Sequence, residues 1–197
     1  MEILRGKTAS FIDASALAGM LAGYDSAHLD IGTGDGRFVL HTAQANPRRF
    51  VIGLDACREN LRDTSRRAPD NALFVIANAC AMPPELRGVA SHITINFPWG
   101  SLLTGLLDAD PALLSGLMAV ALPSTIVDVR LNGGALAEAG WPLEAGAAHI
   151  REVLAAHGLR MKRPVTLDSG DLRVYPTTWA KRLAYGRDPR ALHLCSR

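Results

Sequence analysis

The chain has 197 residues, 48% apolar and 20% charged, with a net charge of +2 at neutral pH. That is ordinary globular composition, long enough for one domain with a sizeable core and short for two. The start Met1-Glu2-Ile3-Leu4-Arg5-Gly6-Lys7 lacks the long apolar run of a secretory signal, and the longest apolar stretch, Leu113 to Val129, is broken by Pro123 and does not read as a membrane span.

In chain order, the first dozen residues, turning at Gly6-Lys7, read as a small N-terminal hairpin standing outside the core. His28 to Ile31 reads as a strand ending in a glycine turn, and Arg37 to Gln44 as a helix stopped near Asn46-Pro47. Phe50 to Asp55 is a buried strand, Arg58 to Ala68 a helix closed by Pro69, and Leu73 to Ala77 a third strand. His92 to Asn96, a helix over Pro111 to Leu122 and Thr125 to Arg130 continue the alternation. Leu143 to His157 has helical spacing, and two further strands are expected at Arg160 to Leu167 and Ala191 to Cys195. Such β-α-β alternation predicts a parallel sheet with helices on both faces, and ligands beyond the carboxyl ends of its strands.

Cys57, Cys80 and Cys195 are odd in number, far apart and without a C-x-x-C, and the six histidines lack ligand spacing. Neither a disulfide framework nor a metal site is expected, and a reducing cytoplasm is the simplest compartment. Arginines gather at Arg48-Arg49, along Arg58, Arg62, Arg66 and Arg67, and late in the chain with Lys181, Arg182, Arg187 and Arg190. A polyanion partner would use such clusters. Solvated helix faces paired with Glu59, Asp63, Asp70 and Asp188 would look the same, and charge alone favours that plainer reading.

The strongest local motif is Asp30-Ile31-Gly32-Thr33-Gly34-Asp35-Gly36, between a strand and a helix. A dinucleotide fingerprint G-x-G-x-x-G counted from Gly32 would need glycine at Arg37; the spacing is instead G-x-G-x-G led by an acid. That variant resembles the first motif of class I methyltransferases, whose glycine turn accommodates the amino-acid portion of S-adenosylmethionine. The resemblance implies that Gly32, Thr33, Gly34 and Gly36 shape the turn and that Asp30 faces the ligand's ammonium. It also implies that Asp55, with Ala56 beside it, accepts from the ribose hydroxyls, and that Asn78-Ala79 pass near the adenine. Without it, the motif reads as a tight turn with solvent-facing aspartates.

Two tryptophans carry the second signal. Trp99, in Asn96-Phe97-Pro98-Trp99-Gly100-Ser101-Leu102-Leu103, could stack on a substrate ring at a strand end or be a core residue under the next helix. Trp179, in Thr177-Thr178-Trp179-Ala180-Lys181-Arg182-Leu183, stands among basic residues, as gripping a flipped base would need, or anchors a helix capped by Thr177 or Thr178. Trp141 reads as loop packing.

Together, the glycine motif, Phe97-Pro98-Trp99-Gly100-Ser101-Leu102-Leu103 and Thr178-Trp179-Ala180-Lys181-Arg182-Leu183 resemble the kanamycin–apramycin resistance family. Its members methylate N1 of an adenine in the decoding A site of small-subunit (16S) ribosomal RNA. The resemblance implies a Rossmann-like, doubly wound, seven-stranded, mostly parallel α/β sheet in one domain over residues 1–197, with S-adenosylmethionine as cofactor and the 30S subunit as partner. It places Trp99 and Trp179 on either side of the flipped adenine, and Asn96, Ser101 and Leu102 with the cofactor residues. Thr177, Thr178, Lys181, Arg182 and Arg187 would lie on RNA, and the helix bearing Arg58, Arg62, Arg66 and Arg67 would dock on the ribosome. The expected enzyme is a cytoplasmic monomer without metal. Cys80, Asn96 and the short Asn132 to Ala148 segment depart from the family pattern. Alternatives are an amino-group methyltransferase, since Asn96-Phe97-Pro98-Trp99 also resembles N-P-P-aromatic, a small-molecule methyltransferase, or a non-catalytic binding homologue.

Overall fold

The computed structural model describes residues 1–186 and 189–196. Arg187, expected on RNA, lies outside the described residues. The apolar strands pair in parallel: β3 (Ser26–Ile31) lies between β4 (Arg49–Asp55) and β6 (Ala90–Asn96), with β5 (Ala72–Ile76) beyond β4 and β7 (Ala121–Asn132) beyond β6. β9 (Ala191–Cys195) runs antiparallel to β7, and β8 (Val165–Leu167) antiparallel to β9.

Among the described residues nine strands form the sheet, not the expected seven, in the order β2-β1-β5-β4-β3-β6-β7-β9-β8. The two extra strands are the N-terminal ones, β1 (Glu2–Arg5) and β2 (Thr8–Phe11), which turn at Gly6 with φ 61°. They were expected to stand outside the core. Instead Ile3 pairs with Val75 on β5, and Leu4 is buried with Val39, Leu61 and Phe74. β8 is shorter than expected. Pro164, which has no N–H for the ladder, precedes it, and Met161 makes only an isolated bridge to Ser196.

Among the described residues, seven helices fill the crossovers and ends of the sheet: α1 (Ala14–Leu21), α2 (Arg37–Ala45), α3 (Arg58–Arg66), α4 (Gly100–Leu107), α5 (Pro111–Val120), α6 (Gly133–Glu138) and α7 (Leu143–Ala156). Of these, α1, α4 and α6 were not predicted, because each is short and alanine-, glycine- or leucine-rich without a clear polar face. Their starts are chemical: Asp13 caps α1 by accepting from Ala16 N, and Asn132 caps α6 by accepting from Ala135 N. Alternation along the strands sends Leu29, Ile31, Ile52 and Leu54 to one face, against Leu17, Leu103, Leu113 and Ile150. Val51 and Phe74 point the other way, against Val39 of α2 and Leu61 of α3.

The continuation of that second face across β3, β6, β7 and β9 is polar. There Asp128 accepts from His92 at 2.6 Å and His193 at 2.5 Å, His92 stacks on His28 at 4.2 Å, and His28 Nε2 meets Thr94 Oγ1 at 3.0 Å. No helix among the described residues is long and apolar enough to cross a membrane, and none of their His, Cys, Asp and Glu side chains cluster in threes to hold a metal.

Candidate active site

β3, β4 and β6 end side by side, so the loops that follow them meet at one edge of the sheet. They enclose a cleft of about 520 Å³. Of the expected cofactor residues, Asp30, Gly32, Thr33, Gly34, Asp55 and Ala56 line one side. Asn78, Ala79, Asn96, Ser101 and Leu102 line the rest.

Gly36 does not line the cleft. It is the N-cap of α2 with φ 73°, and a Cβ there would lie 2.4 Å from Phe74 Cε1. Its glycine is required for packing and turn geometry, not for ligand approach. Gly34 differs: its φ is 58°, and a Cβ would meet nothing within 4 Å. The bend is pinned to the neighbouring strand by Gly32 N and Thr33 N, both donating to Leu54 O at 2.8 and 3.0 Å.

Two carboxylates stand at this edge in different states. Asp30 is buried; its Oδ1 accepts from Thr94 Oγ1 at 2.6 Å and Asn96 Nδ2 at 2.8 Å, while Oδ2 is buried without a partner. Burial pushes its pKa up to about 6 against the pull of neighbouring Thr33, Thr94 and Asn96 and of the Arg130 charge. Asp55 accepts from Gly34 N at 2.8 Å and Cys57 N at 2.9 Å, one bond per oxygen, and burial raises its pKa more than they lower it. Asn78 Oδ1 accepts from Cys80 N at 2.9 Å, which caps a single 3-10 turn over Ala79–Ala81.

The other end of the cleft is aromatic. After β6 the chain makes a tight corner: buried Phe97 has φ 53° and Gly100 also 53°, with Phe97 N held by Arg130 O at 2.8 Å. A bulky residue in that conformation costs energy that surrounding packing must supply. The corner leaves Trp99 41% exposed at the start of α4. It faces Trp179, 40% exposed on α9 (Thr178–Ala184), with ring centroids 5.4 Å apart and planes 13° from parallel. Trp99 is therefore not a core residue packed under α4. Trp141, by contrast, stacks on His149 within the α6–α7 packing.

The late segment is tied down at each threonine. Thr177 Oγ1 accepts from Ala180 N at 2.9 Å and caps α9; Thr178 Oγ1 donates to Asp35 Oδ2 at 2.5 Å, joining this segment to the glycine bend. Arg182 lines the cleft with its guanidinium 5.3 Å from the Trp179 ring centroid, and Lys181 beside it is exposed. The α3 arginines are spread. Arg58 pairs with Glu2 of the hairpin, Arg62 lies 3.7 Å from Glu59, Arg67 Nε donates to Asp63 O at 3.3 Å, and Arg66 is exposed beside Gly6.

Sequence reasoning missed Asp35, Asn60, Thr94, Arg130 and Tyr175 at this site. Asp35 stood inside the recognised motif, and its acidity beside the bend was a usable signal. Tyr175 had none: it closes α8 (Ser169–Val174), a helix that was not predicted, and reaches Asn96 across the fold at 2.7 Å.

Over residues 2–197 the chain matches the family model described as NpmA: 16S rRNA (adenine(1408)-N(1))-methyltransferase. It is 31% identical to the Escherichia coli protein named 16S rRNA (adenine(1408)-N(1))-methyltransferase, over 95% of this chain and 94% of that one. Among solved structures, the 16S rRNA methyltransferase KamB superposes with a TM-score of 0.90 at 29% identity, covering 100% of this chain and 98% of that one. A tryptophan-to-alanine mutant of the 16S rRNA (adenine(1408)-N(1))-methyltransferase from Catenulisporales acidiphilia, solved with cosubstrate SAM, gives 0.87 at 26% identity, covering 100% and 96%.

Proposed function

Since the chain belongs to the 16S rRNA (adenine(1408)-N(1))-methyltransferase family, we propose that it transfers a methyl group from S-adenosylmethionine to N1 of a flipped adenine in the decoding A site of 16S ribosomal RNA. The carrying observation is the pair of parallel, solvent-facing indoles at the mouth of a cleft floored by two carboxylates. The reaction is of the aminoglycoside-resistance type, and the acting species is one chain, a single doubly wound domain, in the cytoplasm with its 30S partner.

The residues fit the cofactor. Asp30 Oδ2 is a buried carboxylate oxygen with no partner, which is costly unless a cation sits near it. The methionine ammonium of S-adenosylmethionine is such a cation. The Asp55 carboxylate is held by two backbone N–H groups, and each oxygen keeps a lone pair for a ribose hydroxyl. Gly32, Thr33 and Gly34 leave room for the amino-acid portion, Ala56, Asn78 and Ala79 line the adenosine side, and Ser101 and Leu102 close the wall toward Trp99. When bound, S-adenosylmethionine supplies an electrophilic methyl group on a sulfonium.

The remaining work falls to the chain. Adenine N1 has an in-plane lone pair and is largely unprotonated at neutral pH, so the site needs no general base. Rate then comes from placement, which can contribute about 7–11 kcal/mol in well-oriented cases. Extruding a base costs a few kcal/mol, and stacking returns about 1–3 kcal/mol per base, so Trp99 and Trp179 can roughly offset the flip. Thr177 and Thr178 hold the Trp179 segment. Arg182, and on the docking face Lys181, Arg62, Arg66 and Arg67, offer charge to RNA phosphates, with Arg58 engaged first by Glu2.

The amino-group alternative would need the Asn96 carbonyl to accept from an exocyclic amine. That oxygen already accepts from Tyr175 Oη at 2.7 Å and Arg130 Nη1 at 3.2 Å, which uses both lone pairs. The arrangement favours the ring nitrogen.

The test is incubation of the protein with S-adenosylmethionine and intact 30S subunits, followed by reverse-transcription arrest and mass spectrometry of the modified nucleotide. One N1-methyladenine in the A site is expected. Methyl incorporation at background level, or only on free metabolites, would sink the assignment.

A further inference from the structure

One side-chain hydrogen bond joins the segments that carry the two indoles. Asn96 closes β6 three residues before Trp99, and Tyr175 follows α8 four residues before Trp179. Tyr175 Oη donates to Asn96 Oδ1 at 2.7 Å, and Asn96 Nδ2 donates to Asp30 Oδ1 at 2.8 Å. The chain Tyr175–Asn96–Asp30 therefore links the two halves of the aromatic slot to the carboxylate of the glycine bend.

The ring and the hydroxyl of Tyr175 have separable tasks. The ring packs on Phe38 at 5.7 Å and on the edge of Phe97 at 6.1 Å, with the Arg130 guanidinium 4.4 Å above it. Phenylalanine would make the same contacts. Only the hydroxyl reaches Asn96, and burial raises its pKa, keeping it a neutral donor. Asn96 Oδ1 would retain Arg130 if the hydroxyl were lost, so no buried acceptor would be orphaned.

We propose that Tyr175 is a positioning residue: its hydrogen bond to Asn96 sets the spacing and tilt of Trp99 against Trp179. The target base is thereby aligned from the same Asp30–Asn96 unit that holds the cofactor end of the cleft. A hydrogen bond from half-buried Tyr175 to buried Asn96 transmits position because neither partner can move without losing it. Small errors in the placement of reacting atoms have large effects on rate. The kinetic part of this inference rests on the methyltransferase reading; the geometric part does not.

Tyr175→Phe tests it on the full chain. Three quantities are measured against wild type: the exciton couplet of the stacked indoles in far-ultraviolet circular dichroism, kcat and KM on 30S subunits, and the Kd for S-adenosylmethionine by calorimetry. Trp179→Ala, which abolishes the couplet, defines the baseline. The expected result is an altered couplet, kcat lower by roughly two- to tenfold, the effect of one ordinary hydrogen bond, and a Kd within about twofold, since Asp30 keeps Thr94 and Asn96. A couplet superimposable on wild type overturns the proposal. So does a parallel loss of kcat and cofactor affinity, which would mark Tyr175 as general packing. If wild-type protein fails to methylate subunits, the function assignment fails, and the couplet still decides whether Tyr175 positions the indoles.

Discussion

Trp99 and Trp179 lie face to face with centroids 5.4 Å apart and an interplanar angle of 13°, so the slot between them is closed on itself. A base inserted between two parallel rings needs two van der Waals spacings of about 3.5 Å, or about 7 Å in all. The plates must part before a base enters, and their mutual stacking, about 0.5–1.5 kcal/mol, is replaced by two base contacts. Trp99→Ala and Trp179→Ala are each expected to cut kcat/KM on 30S subunits by roughly tenfold to a hundredfold. S-adenosylmethionine affinity should survive. Single-turnover kinetics and calorimetry check this; loss of cofactor binding in step with activity would show the indoles to be structural.

Asp30 predicts a pH dependence. Its pKa is raised by burial to about 6, above the ordinary carboxylate value. Without ligand, the folded chain holds this proton more tightly than the unfolded chain. The stabilisation from Asp30 is therefore full below about pH 4 and is lost as pH rises through about 6. A cation needs the ionised form, so the affinity for S-adenosylmethionine should be level above pH 7 and fall by up to about tenfold per pH unit below 6. Calorimetry from pH 5 to 7.5 measures it, and Asp30→Asn should weaken binding and flatten the profile. A wild-type affinity independent of pH across that range would contradict the role given to Asp30.

The glycines of the bend should separate by function. Gly36→Ala places a methyl 2.4 Å from Phe74 Cε1 at φ 73°, so overpacking and backbone strain add to about 2–4 kcal/mol of lost stability. Gly34→Ala meets nothing within 4 Å and pays only for its φ of 58°, about 1–2 kcal/mol. Its methyl should nevertheless weaken cofactor binding more than Gly36→Ala does in protein that remains folded. Denaturant melts and calorimetry on the two variants distinguish them; equal stability losses would contradict the packing role of Gly36.

Asp128 should govern acid stability. Burial alone would raise its pKa, but the hydrogen bonds from His193 and His92 and the charge of Arg130 outweigh burial and hold it well below the carboxylate range. Stability from this group is present above the unfolded value near pH 4 and is lost as pH falls through the folded value. Asp128→Ala is expected to cost about 1–3 kcal/mol at pH 7, since two histidines lose their acceptor. The difference from wild type should shrink as both are acidified. Urea melts at pH 3 and 7 check the trend.

Arg182 lines the cleft, whereas Arg58 begins α3 beside the hairpin, and the two should behave differently. Arg182→Ala should weaken 30S binding and reduce its salt slope by about one, with no change in melting. Arg58 pairs with Glu2, so Arg58→Ala should loosen the hairpin and lower thermal stability. A salt slope unaltered by Arg182→Ala would remove that residue from the phosphate contacts.

Much of the glycine-bend end of the cleft was readable before folding. Asp30 and Asp55 each stand near the end of a strand, and adjacent parallel strands must bring their carboxyl ends to one edge; local pattern plus one topological rule is enough. Gly36 shows where motif reading overreaches. A glycine required by φ and by an intruding phenyl ring is indistinguishable, along the chain, from one required by a ligand. The arginines of α3 were likewise ambiguous, because whether a guanidinium meets a carboxylate depends on what lies across from it. For Arg58 that was Glu2, on a hairpin expected to lie apart from the sheet.

Strand alternation, the acid-led glycine bend and the placement of Trp99 at a strand end are local, encoded by side-chain periodicity and backbone permissiveness over a few residues. The closed indole pair, the Tyr175–Asn96–Asp30 link and the Thr178–Asp35 tether join segments far apart in the chain. Periodicity carries no information about such pairs. Their partners are chosen only when the sheet order, the corner at Phe97 and the docking of α8 and α9 bring side chains within hydrogen-bond reach, and burial then makes each unmade bond costly.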